Sequence, residues 1–207
     1  MRFLVTAGPT REPLDPVRYL SNRSSGRMGY SIAEALEAAG HEVVLVSGPV
    51  DLAPPAGVER ISVESAREML AACARVWPSC DGLFAVAAVA DFRPAEAAPQ
   101  KLKRSAGDGF TLELVPNPDV LATLAAVKER RLVVGFALET APGEAEALRK
   151  LGTKNLDYVC LNGPEAQGAA FSTLLVLGQD GARTVLGPAP KRRLAELLRD
   201  WVLAPRA

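Results

Sequence analysis

RFLVTAGPTREPLDPVRYLSNRSSGRMGYSIAEALEAAGHEVVLVS, residues 2–47, decides the fold. The apolar run at 2–7 is stopped by Gly8-Pro9, the pattern of a short buried parallel strand. A polar, proline-containing stretch fills 10–23. From Ser24 a helix is announced: Ser-Ser-Gly-Arg-Met-Gly leads into Ile32, Ala35, Leu36 and Ala39 at helical spacing, with Gly40 as the stop. EVVLVS at 42–47 is the second strand. Strand, helix and strand make one βαβ unit, whose crossover is right-handed and whose strands are parallel.

The alternation continues outward. Residues 58–63 read as a strand and 64–76 as a helix with Met69, Leu70, Cys73 and Ala74 on one face. GLFAVAAV at 82–89 is near-continuously apolar, a strand buried on both sides, and 92–109 is a loop rich in Ala, Pro and Lys. FTLELV at 110–115 alternates with period two, as an edge or hairpin strand does. Asn117-Pro118-Asp119 starts a helix to about residue 127, with Pro118 near its first position. Strands at 132–137 and 156–161 flank a helix at 142–151. Residues 173–177 and 183–186 form a hairpin through Gln179-Asp180-Gly181, and a helix over 190–203 closes the chain. Strands alternating with helices imply a parallel sheet covered by helices, and 207 residues require no more than one such domain, 1–207. Ligands of such sheets sit at the carboxyl ends of the strands, which directs attention to the loops after residues 7, 47, 90 and 137.

Composition removes several function classes. Lys+Arg and Asp+Glu both number 24, a balance that argues against tracking nucleic acid by a general basic surface and leaves room for a local cationic pocket. No apolar run approaches the roughly 18 residues of a membrane span, and residues 2–8 lack a secretory signal, so the expected compartment is cytoplasmic. Cys73, Cys80 and Cys160 show no metal-ligand spacing, and Cys73 and Cys160, in apolar runs, read as small core residues. The single histidine, His41, sits in a turn before a strand, which argues against a histidine triad or a histidine-rich metal site.

Four places could carry chemistry. In the first loop, glycines permit close backbone approach and a helix start offers free N–H groups to phosphate or carboxylate. Residues 9–25 separate Gly8 from Gly26, however, whereas the dinucleotide fingerprint holds its three glycines within about six residues. The insertion carries Arg11, Asp15, Arg18, Asn22 and Arg23; on the plainer reading Gly26 and Gly29 serve only helix–strand packing. The second place is Ala87-Ala88-Val89-Ala90-Asp91-Phe92-Arg93-Pro94. Its small residues let a flat base lie against the backbone, Asp91 suits a ribose hydroxyl or Mg²⁺, and Phe92 could pack beside the base; alternatively, the alanines only fit beneath a helix. The third is Lys101-Leu102-Lys103-Arg104, either a solvated charge run or a cationic segment that closes over a triphosphate. The fourth is Lys150 and Lys154, one helical turn apart with Arg149 beside them, which complement a helix dipole or bind phosphate.

Taken in order, VTAGPTREPLDPVRYLSNRSSGRMGYSIAEAL (5–36), AVAAVADFRP (85–94), KLKR (101–104), NPDVLA (117–122), VGFALET (134–140) and KLGTKNLDYVCLN (150–162) resemble the phosphopantothenoylcysteine synthetases. These form the carboxyl-terminal half of the bifunctional bacterial coenzyme A enzyme. The resemblance runs from Arg2 to about Asn162 and is weaker beyond. It implies a Rossmann-like three-layer α/β sandwich with a mostly parallel sheet and an added antiparallel dimerisation strand or hairpin. It implies Asn22 and Lys101 as catalytic residues. It implies a CTP site of Ala87, Ala88, Val89, Asp91, Lys101, Asn117, Pro118, Asp119, Val120, Leu121, Phe136, Lys150 and Lys154. Arg18, Asn22, Ser24, Ser25 and Gly26 would meet phosphopantothenate, and Asp91 would meet Mg²⁺. Arg104 departs from the family's lysine but keeps its charge.

The reaction implied has two steps. The 4′-phosphopantothenate carboxylate attacks the α-phosphorus of CTP to give an acyl-cytidylate and pyrophosphate; the amine of L-cysteine then displaces CMP. No enzyme nucleophile is needed, consistent with the lack of a usable His or Cys. Family members are homodimers, and the resemblance implies no flavin in this chain, the flavin-dependent decarboxylase being a fused or separate partner. Three other readings stand beside this one. One is the ATP-using version of the ligase, the form of the eukaryotic members. Another is an NAD(P)-dependent reductase, which would need a compact glycine fingerprint and a Tyr-x-x-x-Lys or histidine acid. The last is a nucleotide-binding module without catalysis.

Overall fold

Period-two geometry is written into the first strand. Phe3, Val5 and Ala7 enter one core and Leu4 the other, as a strand covered on both faces requires. The computed structural model describes residues 1–103, 109–138, 143–163 and 171–205. In chain order the strands are β1 (Arg2–Ala7), β2 (Arg11–Pro13), β3 (Tyr19–Ser21), β4 (Glu42–Ser47), β5 (Glu59–Ser62), β6 (Gly82–Ala85), β7 (Phe92–Pro94), β8 (Leu114–Pro116), β9 (Leu132–Leu138), β10 (Tyr158–Asn162), β11 (Phe171–Gly178) and β12 (Arg183–Pro190). The helices are α1 (Arg27–Ala38), α2 (Ala66–Val76), α3 (Val120–Ala125), α4 (Gly143–Thr153) and α5 (Lys191–Leu203).

Eight strands form the central sheet in the order β12-β11-β10-β9-β6-β1-β4-β5. The six from β10 to β5 are mutually parallel, and β11 and β12 extend the sheet as an antiparallel hairpin. Counted along the chain, the parallel strands lie 3-2-1-4-5-6, the doubly wound order whose direction reverses between β1 and β6. α1 and α5 cover one face, burying Ile32, Leu36, Leu194 and Leu198 against Phe3, Val5 and Phe84. α2, α3 and α4 cover the other, where Met69, Leu124 and Leu151 pack with Leu4, Leu83 and Val133. This is the three-layer α/β sandwich expected.

Three local expectations are corrected. The apolar run 82–89 leaves the sheet after Ala85, because the Thr6 hydroxyl takes the N–H groups of Val86 and Ala87 (3.1 and 3.2 Å) and the Thr10 hydroxyl that of Ala90 (3.0 Å). Only one bridge, Pro9 to Ala88, continues the pairing. In the alternating stretch 110–115 only the end is strand: β8 pairs with β7 in a separate two-stranded ribbon and adds no edge to the main sheet. Pro118 precedes α3 rather than opening it, since Asp119 is the N-cap, its carboxylate accepting the Ala122 N–H at 2.9 Å. The polar insertion also contains a small hairpin, β2–β3, that its composition did not announce.

Candidate active site

Where the strand order reverses, the carboxyl ends of β1, β6 and β9 open into a cleft of about 660 Å³, within the usual range for a small-molecule site. Three segments build it. The first is the start of α1. Gly26 adopts φ 73°, in the left-handed region that favours glycine, and the helix has no side-chain cap. The N–H groups of Arg27, Met28 and Gly29 have no hydrogen-bond partner among the described residues. They make an anion site with the positive end of the helix dipole behind it. Gly29 permits the close approach, since a Cβ there would lie 2.6 Å from Ala7 Cβ and 3.0 Å from the Thr6 carbonyl oxygen.

The second segment, residues 86–91, is sewn to the first loop. The Ala88 N–H donates to the Gly8 carbonyl at 2.9 Å, and the Ala88 carbonyl accepts the Thr10 N–H at 3.3 Å and the Asn22 side-chain amide. Asn22 Oδ1 in turn accepts the Ser24 N–H at 3.0 Å. The insertion is thus locked to the base-loop candidate through Asn22. With Ala88 occupied, the Ala87 carbonyl and the Val89 N–H are left without partners among the described residues. Asn117 supports the segment from below, its N–H donating to the Asp91 carbonyl (2.8 Å) and its side-chain amide to the Ala90 carbonyl (2.9 Å).

The third segment joins α3 to the end of α4. Lys154 pairs with Asp119 at 2.6 Å. Burial alone would raise the Asp119 carboxyl, but the Ala122 N–H and Lys154 outweigh it and hold it below the usual carboxylate value. Lys150 lies one turn before Lys154, 3.9 Å from Glu146.

Of the residues singled out in the sequence, Asn22, Ser24, Ser25, Gly26, Ala87, Ala88, Val89, Asp91, Asn117, Pro118, Asp119, Val120, Leu121, Phe136, Lys150 and Lys154 all line this one cleft. Arg18 and Lys101 do not. Arg18 donates to Asp15 through Nε at 2.9 Å and to the Leu102 carbonyl at 2.7 Å, and the Leu102 N–H donates to Asp15 at 3.1 Å. The Lys101 segment is therefore tied to the insertion beside the cleft. The Arg18 guanidinium, helped by backbone N–H groups and opposed by burial, holds the Asp15 carboxyl far below the ordinary range. Arg104 lies outside the described residues. Phe92, expected beside a base, is exposed on the β7–β8 ribbon and does not line the cleft. Lys191 and Asn162, which the sequence reading passed over, do line it. Lys191 lies in no motif and Asn162 only closes the stretch 150–162; the end of β10 and the start of α5 are brought there by the sheet order.

Among the described residues, the cysteines and the histidine offer no competing chemistry. Burial pushes the Cys73 thiol up to about 12 and the Cys160 thiol further, so neither is a nucleophile. His41 packs edge-on to Phe3 at the amino end of the strands, away from the cleft. No group of three His, Cys, Asp or Glu among the described residues could hold a metal alone. No described helix is long and apolar enough to cross a membrane.

The profile of the family described as DNA/pantothenate metabolism flavoprotein C-terminal domain matches residues 1–205. The chain is 46% identical over 195 residues to the coenzyme A biosynthesis bifunctional protein CoaBC of Vibrio parahaemolyticus, covering 93% of this chain and 48% of that protein. It is 45% identical over 210 residues to CoaBC of Escherichia coli K12, covering 98% and 52% respectively. It thus spans about half the length of the curated relatives it matches. The crystal structure of a CoaBC C-terminal domain superposes with a TM-score of 0.83 at 38% identity, over 98% of this chain and 94% of that one. A Cab2 mutant in complex with phosphopantothenate-cysteine shares the fold at 17% identity, with a TM-score of 0.82 over 98% of this chain and 85% of that one. The chain belongs to the family of the CoaBC C-terminal domain, the one its sequence motifs resemble.

Proposed function

We propose that this chain is a phosphopantothenate–cysteine ligase of coenzyme A biosynthesis, which activates 4′-phosphopantothenate as an acyl-cytidylate with CTP and then joins it to L-cysteine. The observation that carries the reading is the convergence of the Asn22 insertion, the 86–91 loop and the α1 N–H groups on one cleft at the reversal point of the sheet. A base edge, a phosphate and an acyl group can then be held within one site.

The free backbone groups favour a particular base. In an extended segment the carbonyl of one residue and the N–H two residues on point the same way. The Ala87 carbonyl and Val89 N–H therefore offer acceptor then donor, which complements the amino group and adjacent ring nitrogen of cytosine or adenine. Uracil and guanine present the opposite order. Cytosine over adenine rests on the resemblance of the sequence motifs to the bacterial, CTP-using members of the family.

In the first step a carboxylate oxygen bonds to the α-phosphorus, the bond to the β-bridging oxygen breaks, and pyrophosphate leaves. The α1 N–H groups and Lys101 oppose the charge, with Lys101 moving in from its tether at Leu102. In the second, the cysteine amine bonds to the acyl carbon, the carbon–oxygen bond breaks, CMP leaves, and the amine loses a proton. Asn22, with one amide hydrogen committed to Ala88, uses the other for the developing oxyanion. The exposed Asp91 carboxylate at the cleft wall has no partner among the described residues and fits a Mg²⁺ carried on nucleotide phosphates, an ion that commonly takes only one or two protein carboxylates. When bound, Mg²⁺ supplies neutralisation of phosphate charge.

Exposed apolar side chains on the β2–β3 and β7–β8 ribbons (Val17, Tyr19, Phe92 and Leu114) fit a homodimer contact. The test of the reading is pyrophosphate release. CTP with 4′-phosphopantothenate should yield pyrophosphate and, once cysteine is added, CMP and the amide. ATP should be the next best nucleotide, and UTP and GTP poor ones. A protein that binds CTP yet releases no pyrophosphate with both substrates present is a binding module, and the proposal fails.

A further inference from the structure

The cleft has a second cationic end that the proposed reaction does not yet use. β12 reverses β11, which reverses β10, so β12 ends at the same edge as the parallel strands. α5 follows it directly and therefore starts beside α1, on the same face of the sheet. Arg27 is the first residue of α1 and Lys191 the first of α5, and both residues line the cleft as well as the adjoining groove that Glu34 and Glu37 line. Neither has an acidic or hydrogen-bonding partner among the described residues. Their neighbours do: Arg192 pairs with Glu34 at 3.2 Å, and Lys154 with Asp119. Lys191 is half-buried, and its ammonium lies below the usual lysine value, through burial first and the Arg27 charge second. Two like charges on one cavity wall without a counter-ion destabilise the empty protein, and a bound anion removes that cost.

The position of the pair matches a need of the chemistry. Displacement at phosphorus sets the attacking and leaving oxygens roughly in line, so groups on the two substrates extend to opposite sides of the α-phosphorus. Lys150 and Lys154 belong to the layer of α2, α3 and α4, while Arg27 and Lys191 belong to that of α1 and α5. The two cationic ends thus face each other across the strand ends.

We propose that Arg27 and Lys191 form a clamp for a phosphate group of a substrate held in the cleft, on the side opposite Lys150 and Lys154. The inference rests on the ligase reading, which supplies two phosphate sources: the terminal phosphates of the nucleotide and the phosphate monoester of phosphopantothenate. Lys191 is then a specificity residue rather than part of a solvated helix end.

The experiment compares wild type with Lys191→Gln and Lys191→Arg in two arms. Calorimetry measures CTP and CMP binding; steady-state kinetics measures kcat/KM for phosphopantothenate and for pantothenate. Loss of one charged phosphate contact is worth about 10- to 100-fold. If the clamp holds the nucleotide, Lys191→Gln weakens CTP by that factor and leaves CMP alone. If it holds the other substrate, kcat/KM falls for phosphopantothenate and not for pantothenate. In either case Lys191→Arg retains most of the wild-type value, and the ligand-free Lys191→Gln protein melts no lower than wild type. Unchanged ratios in both arms overturn the clamp, as does an equal loss for CTP and CMP together with phosphopantothenate and pantothenate. A wild-type protein without turnover counts against the ligase reading instead; calorimetry of phosphopantothenate and pantothenate then replaces the kinetic arm, and the two binding comparisons still decide the clamp.

Discussion

Asn22→Asp is the perturbation that separates the two chemical steps. The substitution is isosteric and keeps the acceptor for the Ser24 N–H at 3.0 Å, so the insertion retains its local turn. It removes both amide hydrogens. One of these binds the Ala88 carbonyl, which keeps only the Thr10 N–H as donor and now faces an oxygen instead of a nitrogen. Losing this half-buried hydrogen bond and setting two oxygens against each other costs about 1–3 kcal/mol, and for a chain of this size each kcal/mol lowers the melting temperature by about 2–4 °C. The other hydrogen is the one assigned to the oxyanion, and loss of one such donor slows a step by about 10²–10³. Activation at phosphorus does not use it. Rapid-quench experiments with CTP labelled at the α-phosphorus should show a pyrophosphate burst close to the enzyme concentration and a persistent acyl-cytidylate. Amide formation should be slower by two to three orders of magnitude. An unchanged overall rate refutes the role of Asn22, and so does a burst lost in parallel with product.

Three further outcomes follow from the packing. Gly29→Ala places a methyl 2.6 Å from Ala7 Cβ, so α1 must lift from β1; overpacking of this kind costs about 1–3 kcal/mol, and calorimetry should show a lower melting temperature together with weaker CTP binding, whereas wild-type values of both would sink the close-approach argument. All three cysteines are buried, with the Cys73 thiol pushed up to about 12, so a thiol reagent at pH 8 should label none in the folded protein and three after denaturation. If Val17, Tyr19, Phe92 and Leu114 form a dimer contact, light scattering at micromolar concentration should give twice the chain mass, and Tyr19→Asp should give one; wild type found only as monomer removes the proposal.

The fold was legible because its layers are encoded locally. Apolar runs such as 2–7, 42–47 and 132–137 can only be strands covered on both faces, and the helices between them carry their own stops. What misled was a side chain acting across the chain: Thr6 and Thr10 end β6 at Ala85 although the apolar run continues to Val89. The small hairpin β2–β3 has too few residues to show a period. In the site, contiguous motifs sufficed for Asn22, Asp91 and Asn117, whose spacing reflects local turns. Lys101 is tethered outside the cleft by Asp15 and Arg18, a geometry that spacing along the chain cannot express. Lys191 was invisible for a different reason. It reads as the first polar residue of an amphipathic helix, and only the double reversal through β11 and β12 sets it beside Arg27.

The central claim is spatial: one cleft at the carboxyl edge of the sheet holds the nucleotide against the 86–91 loop while Asn22 faces its acyl partner. A crystal structure of the protein with CTP and Mg²⁺ tests it most directly. The account predicts cytosine hydrogen-bonded to the Ala87 carbonyl and Val89 N–H, with phosphates at the start of α1. Nucleotide bound at the amino edge near His41, or a base turned away from residues 86–91, contradicts it.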